Sequence, residues 1–209
     1  MGYAFEEIFG IPDAFSGIPM AGRTDAWILS HAAAAHGIAP GSPDLARFPD
    51  AYLLHLAVEI TKRGPRFGVM PGVSKLLDVL ADRDDVFLAL MTGNYEAGAR
   101  LKLEHFGLWP YFRCGAFGDN APDRNGLMPR ALARVAACGT TVAAAEAVVI
   151  GDTPLDVACA QAGGARSIAV ATGNHSVEEL QAAGADVVFE DLSDTARVLS
   201  AIRNPQAAI

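Results

Sequence analysis

The sequence predicts an α/β protein in which a parallel sheet lies between helices, preceded by a segment of helices alone. Three observations carry this. From about Val69 onward, short apolar runs alternate with stretches of helical periodicity. The runs Val86–Met91 and Val148–Ile150 are unbroken, as in strands covered on both faces, and do not alternate with polar residues. Before Val69 the apolar residues recur at helical spacing.

The elements follow in order. Met1–Phe9 reads as the end of an amphipathic helix, with Phe5, Ile8 and Phe9 on one side and no start signal. Ile11–Met20 is a loop carrying Pro12, Gly17 and Pro19. Thr24 or Asp25 caps a helix to about Ala35, closed by Gly37. Pro43–Lys62 spaces Phe48, Tyr52, Leu53, Leu56 and Ile60 as a helix, and Gly64-Pro65 stops it. Pro71–Ala81 is a helix and Val86–Met91 a strand ending in Thr92-Gly93-Asn94. A helix from Tyr95 to Phe106, closed by Gly107, leads to a short strand at Arg113–Phe117 and a helix at Gly126–Cys138. Ala147–Ile150 is a strand and Pro154–Ala162 a helix. Ser167–Ala171, Val177–Ala183, Asp186–Phe189 and Ser193–Ile202 complete the alternation as strand, helix, strand and closing helix. Right-handed crossovers put the C-terminal ends of parallel strands on one edge, where ligands of such sheets bind.

Composition narrows the partners. The 209 residues are 51% hydrophobic, enough for one large domain or a core with a small accessory domain. A net charge of -8 without a basic stripe argues against nucleic acid. The run Val142–Ile150 is too short to span a membrane, and Glu6 and Glu7 do not suit a signal peptide. Cys114, Cys138 and Cys159 lack metal-binding spacing and read as reduced, mostly buried thiols of a cytoplasmic protein. The partner expected is a small phosphorylated metabolite, with no nucleic acid and no membrane.

The chemistry concentrates at two strand tips. In Val148–Asp156 a strand stops at Gly151-Asp152, Thr153 caps a helix, Pro154 takes its first position and Asp156 its first turn. Two carboxylates this close repel, and a hard cation such as Mg²⁺ relieves them. Taken alone, the same residues serve equally as a helix cap with an acid that complements the macrodipole. At the other tip, Thr92, Gly93 and Asn94 offer a hydroxyl, an amide and a helix N-terminus to an anion, or simply an N-cap at Asn94. The loop Phe117–Asn125 carries Arg124, suited to phosphate or, in the plainer reading, paired with Asp123.

In this order these tips resemble the haloacid dehalogenase superfamily of phosphohydrolases, nearest its phosphoglycolate-phosphatase-like branch. The resemblance implies a three-layer Rossmann-like core over residues 69–209 with a helical cap over residues 1–68. It implies a Mg²⁺-dependent phosphatase working through an aspartyl-phosphate. Asp152 then holds Mg²⁺ and Asp156 supports it, directly or through water. Thr92 and the Gly93 amide bind phosphate, with Asn94 beside them. Arg124 offsets charge, Arg130 being the other candidate for that role, and Arg23 is the cap residue to watch for specificity.

One family feature is missing from the residues that carry the resemblance: an apolar central strand ending in Asp-x-Asp ahead of the cap. It would lie between the strands ending at Thr92 and Asp152 and supply the nucleophile. The expectation is therefore a phosphatase sequence shortened at the front, without turnover as written. The alternative is a non-catalytic protein that binds phosphate or metal, with a receiver-like or nucleotide-binding protein third. Removing a central strand leaves two edges about 9–10 Å apart. Such edges expose unpaired backbone groups, so the chain as written is expected to be marginally stable and aggregation-prone.

Overall fold

The computed structural model describes residues 1–62, 64 and 67–203. It opens with three helices: α1 (Gly2–Phe9), α2 (Asp25–Ala35) and α3 (Phe48–Glu59). Thr24 caps α2 by accepting the Trp27 N–H at 3.1 Å. The expected Pro43–Lys62 helix is divided into a 3₁₀ turn at Pro43–Arg47 and α3. Pro49 explains the break. It has no N–H to return to the carbonyl of Leu45, yet it sits comfortably in the first turn of α3. Of the expected Gly64-Pro65 stop, Pro65 lies outside the described residues, and α3 already ends at Glu59.

The alternation follows as α4 (Val73–Ala81), β1 (Ala89–Met91), α5 (Glu96–His105), β2 (Cys114–Ala116), α6 (Leu127–Ala137), β3 (Val148–Gly151), α7 (Pro154–Ala162), β4 (Arg166–Val170), α8 (Val177–Ala182), β5 (Val187–Phe189) and α9 (Thr195–Arg203). Every strand pairing is parallel. The strands are shorter than the apolar runs that announce them. β1 keeps three residues, although Arg113 N–H to Leu88 O (3.3 Å) and Thr92 N–H to Ala116 O (3.0 Å) prolong its ladder with β2 at both ends.

The strands form two sheets, β1-β2 and β3-β4-β5. β1 and β3 do not pair with each other among the described residues, yet the same helices cover both sheets. On one face Val86 and Leu88, leading into β1, and Val148 of β3 pack against the cluster of Leu76, Leu80, Ile168, Phe189 and Val198. On the other face Met91 and Val149 join Leu127, Met128 and Cys159. The two sheets thus share the packing on both of their faces. Ile150, in the middle of β3, is 38% exposed, unusual for a mid-strand aliphatic in a helix-covered sheet.

The helical segment has its own cluster around Phe5, Phe48, Tyr52 and Leu29, and Tyr95 from the β1–α5 connection joins it. Phe5 is fully buried and its ring lies 4.6 Å from Phe9 and 5.4 Å from Phe15. The thiols are all free. Cys159 is buried as expected and Cys114 is intermediate, but Cys138 is exposed, because it is the C-cap of α6 and not part of its packed face. No helix among the described residues is long and apolar enough to cross a membrane.

Candidate functional site

The β3–α7 turn folds as its residue types dictate. Thr153 is the N-cap of α7 and Pro154 its first residue. Asp156 turns back to accept the Thr153 N–H at 3.1 Å and the Thr153 hydroxyl at 2.7 Å on one oxygen. It crosses over Gly151 so closely that a Cβ there would overlap the Asp156 carboxyl. The other oxygen of Asp156 accepts from a terminal nitrogen of Arg124. Asp156 in this ion pair is buried and Arg124 largely so, with 13% of its side chain exposed. Arg124 also donates to the Gly22 carbonyl at 3.1 Å, while its Nε is buried without a partner. Arg124 therefore pairs with Asp156 and not with its neighbour Asp123, whose carboxylate accepts the Gly126 N–H instead. Arg130 is exposed on α6.

Asp152 stands at the strand tip, exposed, beside a Gly173 that leaves it room. Partial burial of its carboxyl raises its pKa, and the negative charge of Asp156 adds to the rise. The tip thus holds one carboxylate occupied by protein donors and one facing outward. Among the described residues no third carboxylate, imidazole or thiol joins them to form a metal-binding cluster. The chain's Asp-x-Asp, Asp82-Arg83-Asp84, lies between α4 and β1, ahead of the strand and away from its C-terminal tip.

The β1 tip is shaped by contact with the start of α2. The Asp25 N–H donates to Gly93 O at 2.7 Å, and Gly118 N–H donates to Asn94 O at 2.8 Å. A Cβ at Gly93 would overlap the Arg23 carbonyl, and one at Gly118 would overlap Gly93 O, so both positions demand glycine for space. Thr24, fully buried, donates its hydroxyl to Ala121 O at 2.8 Å. The Thr92 hydroxyl oxygen accepts the Asn94 N–H at 3.2 Å, leaving its own proton to donate. The Gly93 N–H donates to no protein acceptor among the described residues.

Two expectations are corrected here. Asn94 does not cap α5. Its amide bridges Asp25, to which it donates at 3.3 Å, and Lys102, from which it accepts at 3.0 Å. Nor is the N-terminus of α5 open to an anion. Asp25 accepts the Tyr95 N–H at 2.9 Å and Asp119 accepts the Glu96 N–H at 2.8 Å, so protein carboxylates already complement the dipole. Sequence reasoning missed Asp119 and Lys102, and saw in Asp25 only a possible helix cap.

A cleft of about 990 Å³ opens between the helical segment and the β1 tip, and Thr92, Gly93, Asn94, Arg124, Arg23 and Lys102 line it. Arg23 spreads over the Trp27 ring, 4.5 Å from its centroid. Asp152 and Asp156 do not line this cleft; Asp156 adjoins it through Arg124. The arrangement can hold an anion against the Thr92 hydroxyl, the Gly93 amide and the Arg124 guanidinium.

Two outcomes follow. Arg124→Met strands a buried carboxylate and lowers stability by about 3–5 kcal/mol, whereas adding Asp156→Asn to it restores part of the loss; urea unfolding of the two single variants and the double variant measures both. Asp25 is the second case. Burial raises its pKa, against the opposing hydrogen bond from Tyr95 and the charge of Lys102. The folded state therefore keeps a proton that the unfolded chain releases near an ordinary aspartate value of about 3.9. This stabilisation is complete below that value and is lost as pH rises through the raised one. Asp25→Asn flattens that part of the stability–pH curve, and an unchanged slope would contradict the assignment.

Comparison with known proteins gives this geometry a lineage. Residues 124–195 match the Hydrolase_like family of HAD-hydrolase-like proteins. The probable phosphatase IndB of Dickeya dadantii is 31% identical over 131 residues, 60% of this chain and 54% of that protein. The phosphoglycolate phosphatase of Rhodospirillum rubrum is 34% identical over 125 residues, 60% of this chain and 50% of that protein. The chain thus spans about half the length of the curated relatives it matches. A solved structure of a predicted phosphoglycolate phosphatase from Haemophilus somnus 129PT superimposes with a TM-score of 0.65 at 14% identity, covering 95% of this chain and 88% of that one. Residues 124–195 thus resemble HAD-hydrolase-like proteins, and the chain shares with the Haemophilus somnus structure its overall fold.

Proposed function

We propose that this is a Mg²⁺-dependent phosphomonoester hydrolase acting on a small phosphorylated metabolite, with residues 1–68 as a cap and residues 69–209 as the core. The observation that carries the reading is that Thr92, Gly93 and Arg124 line the same cleft. These three supply a hydroxyl, an amide and a fixed positive charge, the donors a phosphoryl group takes. The curated relatives bear phosphatase names, which agrees with this chemistry.

In this reading the Thr92 hydroxyl and the Gly93 N–H hold phosphoryl oxygens. Arg124 balances their charge, and Asp156 acts as its positioning residue. Asn94 sets the loop, and Arg23, at the mouth of the cleft, contacts the rest of the substrate. Asp152 holds Mg²⁺, with Asp156 supporting the site through the turn that both share. The fit rests on Asp152 itself: an outward carboxylate beside a second carboxylate, with a pKa raised by partial burial and then by the charge of Asp156. The ion, when bound, supplies charge neutralisation to the phosphoryl group.

The nucleophile belongs to a strand that we assign to the interval between β1 and β3. In support of this reading, among the described residues β1 pairs with β2 and β3 with β4 but not with each other, and the same hydrophobic clusters reach both sheets. An apolar strand ending in Asp-x-Asp would pair with both edges and bring its carboxylates level with Thr92 and Asp152. On this reading residues 1–209 alone bind the anion and the ion but do not turn over substrate.

Titration calorimetry with Mg²⁺ tests the metal assignment. Binding should be weak, about millimolar for so few charged ligands, and Asp152→Asn should abolish it; equal binding by that variant removes Asp152 from the role. A version extended at its front by an apolar strand ending in Asp-x-Asp tests the interval. It should melt higher than residues 1–209 and hydrolyse p-nitrophenyl phosphate with Mg²⁺, whereas residues 1–209 should not. Equal melting temperatures would refute the strand-filled interval. Turnover by the 209-residue form would put the nucleophile within it. Mg²⁺ and phosphate binding without turnover in the extended form favours a non-catalytic binding protein.

A further inference from the structure

Two of the thiols lie together at the end of the sheet away from the cleft. Cys114 opens β2, and Ala116, two residues on, packs against Leu127, Met128 and Ala131 of α6. Residues two apart on a strand point to one face, so Cys114 is directed at α6 as well. α6 begins beside the C-terminal ends of the strands and returns toward their starts. Cys138 prolongs the line of Ala131 and Val135 on that helix, just past its packed part. There the Cys138 N–H donates to Arg134 O at 3.0 Å and Val135 O at 3.1 Å, which fixes its backbone. The start of the strand and the end of the helix thus bring two sulfurs side by side. Burial and a hydrogen bond with Cys138 push the Cys114 thiol up to about 11, against the nearby charge of Arg134.

The two differ in access. Cys138 is exposed, whereas Cys114 is half-buried and protonated at neutral pH. Cys159, the third thiol, is fully buried and donates to Arg124 O at 3.1 Å. Neither Cys114 nor Cys138 lines the cleft. A thiol open to solvent with a recessed thiol in contact is the arrangement in which the first is oxidised and the second resolves the product.

We infer that Cys114 and Cys138 form a reversible dithiol–disulfide site that answers to hydroperoxides, with Cys138 the reacting thiol and Cys114 the resolving one. The Cys138 thiolate attacks one peroxide oxygen; an S–O bond forms, the O–O bond breaks and hydroxide leaves, taking up the proton that Cys138 released. The sulfur is oxidised by two electrons and the peroxide reduced by two. The Cys114 sulfur then attacks the sulfenic sulfur, the S–O bond breaks, and the hydroxyl leaves as water with the Cys114 proton. Two thiols and one hydrogen peroxide give one disulfide and two waters, and a thiol reductant reverses the change. The bridge closes a ring over residues 114–138, the stretch that contains Arg124. Joining two elements that already touch restricts the unfolded chain more than the folded one.

The test is oxidation of the 209-residue protein by hydrogen peroxide, followed by intact mass and titration of free thiols. The mass should fall by two hydrogen atoms and the free thiols from three to one, without a dimer on a non-reducing gel, and dithiothreitol should restore both. The oxidised protein should melt higher than the reduced one. Cys138→Ser should keep both of its thiols under the same treatment, and Cys114→Ser should stop at a sulfenic acid that dimedone labels on Cys138. Three free thiols after peroxide, or oxygen gained at Cys138 while Cys114 stays free, overturns the inference. So does a loss of two hydrogens that persists in either variant, or an oxidised form that melts no higher than the reduced one.

Discussion

The ion pair between Arg124 and Asp156 is the interaction on which the site depends. Two charged groups leave water together, and that is tolerable only because each is held by further hydrogen bonds. Asp156 receives both Thr153 donors, and Arg124 reaches the Gly22 carbonyl. One pair therefore binds three separate stretches of chain: the β3–α7 turn, the loop before α6 and the entry to α2. The charge pattern at the sheet edge follows. With Asp156 committed inward, Asp152 is the carboxylate left facing out. With one face of Arg124 committed to Asp156, what remains of its guanidinium belongs to the cleft.

The second organising contact is the start of α2. Thr24 and Asp25 each work in two directions. Thr24 caps its own helix and fastens the loop at Ala121; Asp25 gives its N–H to Gly93 and takes the N–H of Tyr95. The helical segment is thereby built into the floor of the cleft and does not simply rest upon it. This is also why glycine is required at residues 93 and 118, where backbones from three loops meet without space for a side chain.

Much of this was legible in the sequence, and the reason is locality. The turn from Gly151 to Asp156 declares itself because a cap, a proline and a returning carboxylate act within a few residues of one another. The strand–helix order is equally local, written in period and in apolar runs. What the sequence hid depends on partners far along the chain. Asp25 lies 70 residues from Tyr95, and nothing near either position announces their bond. The same holds for Asp119, which takes a donor that a local reading gives to an anion. Lys102 left a fainter signal: a glycine one turn earlier on the same helix face marks a face meant for close contact, and a lysine on such a face is not an ordinary solvated one. The shortness of β1 was hidden for another reason, since an apolar run specifies burial, whereas a ladder also needs a neighbour on each side.

The clamp at residues 22–25 has a consequence for how the helical segment can move. The front end of α2 is bonded to the loops at Gly93, Tyr95 and Ala121, and Arg124 holds the Gly22 carbonyl. This end of the helical segment cannot lift away without breaking buried hydrogen bonds together. Among the described residues α1 and α3 make no such hydrogen bonds to these loops, although Tyr52 of α3 packs against Gly98 of α5 and the Tyr95 ring. Any displacement of the helical segment is therefore opposed most strongly at this corner, where several buried hydrogen bonds would have to break together. Thr92, Gly93 and Arg124 sit next to that corner, so the bonds that fasten the helical segment also fix the spacing of these three residues.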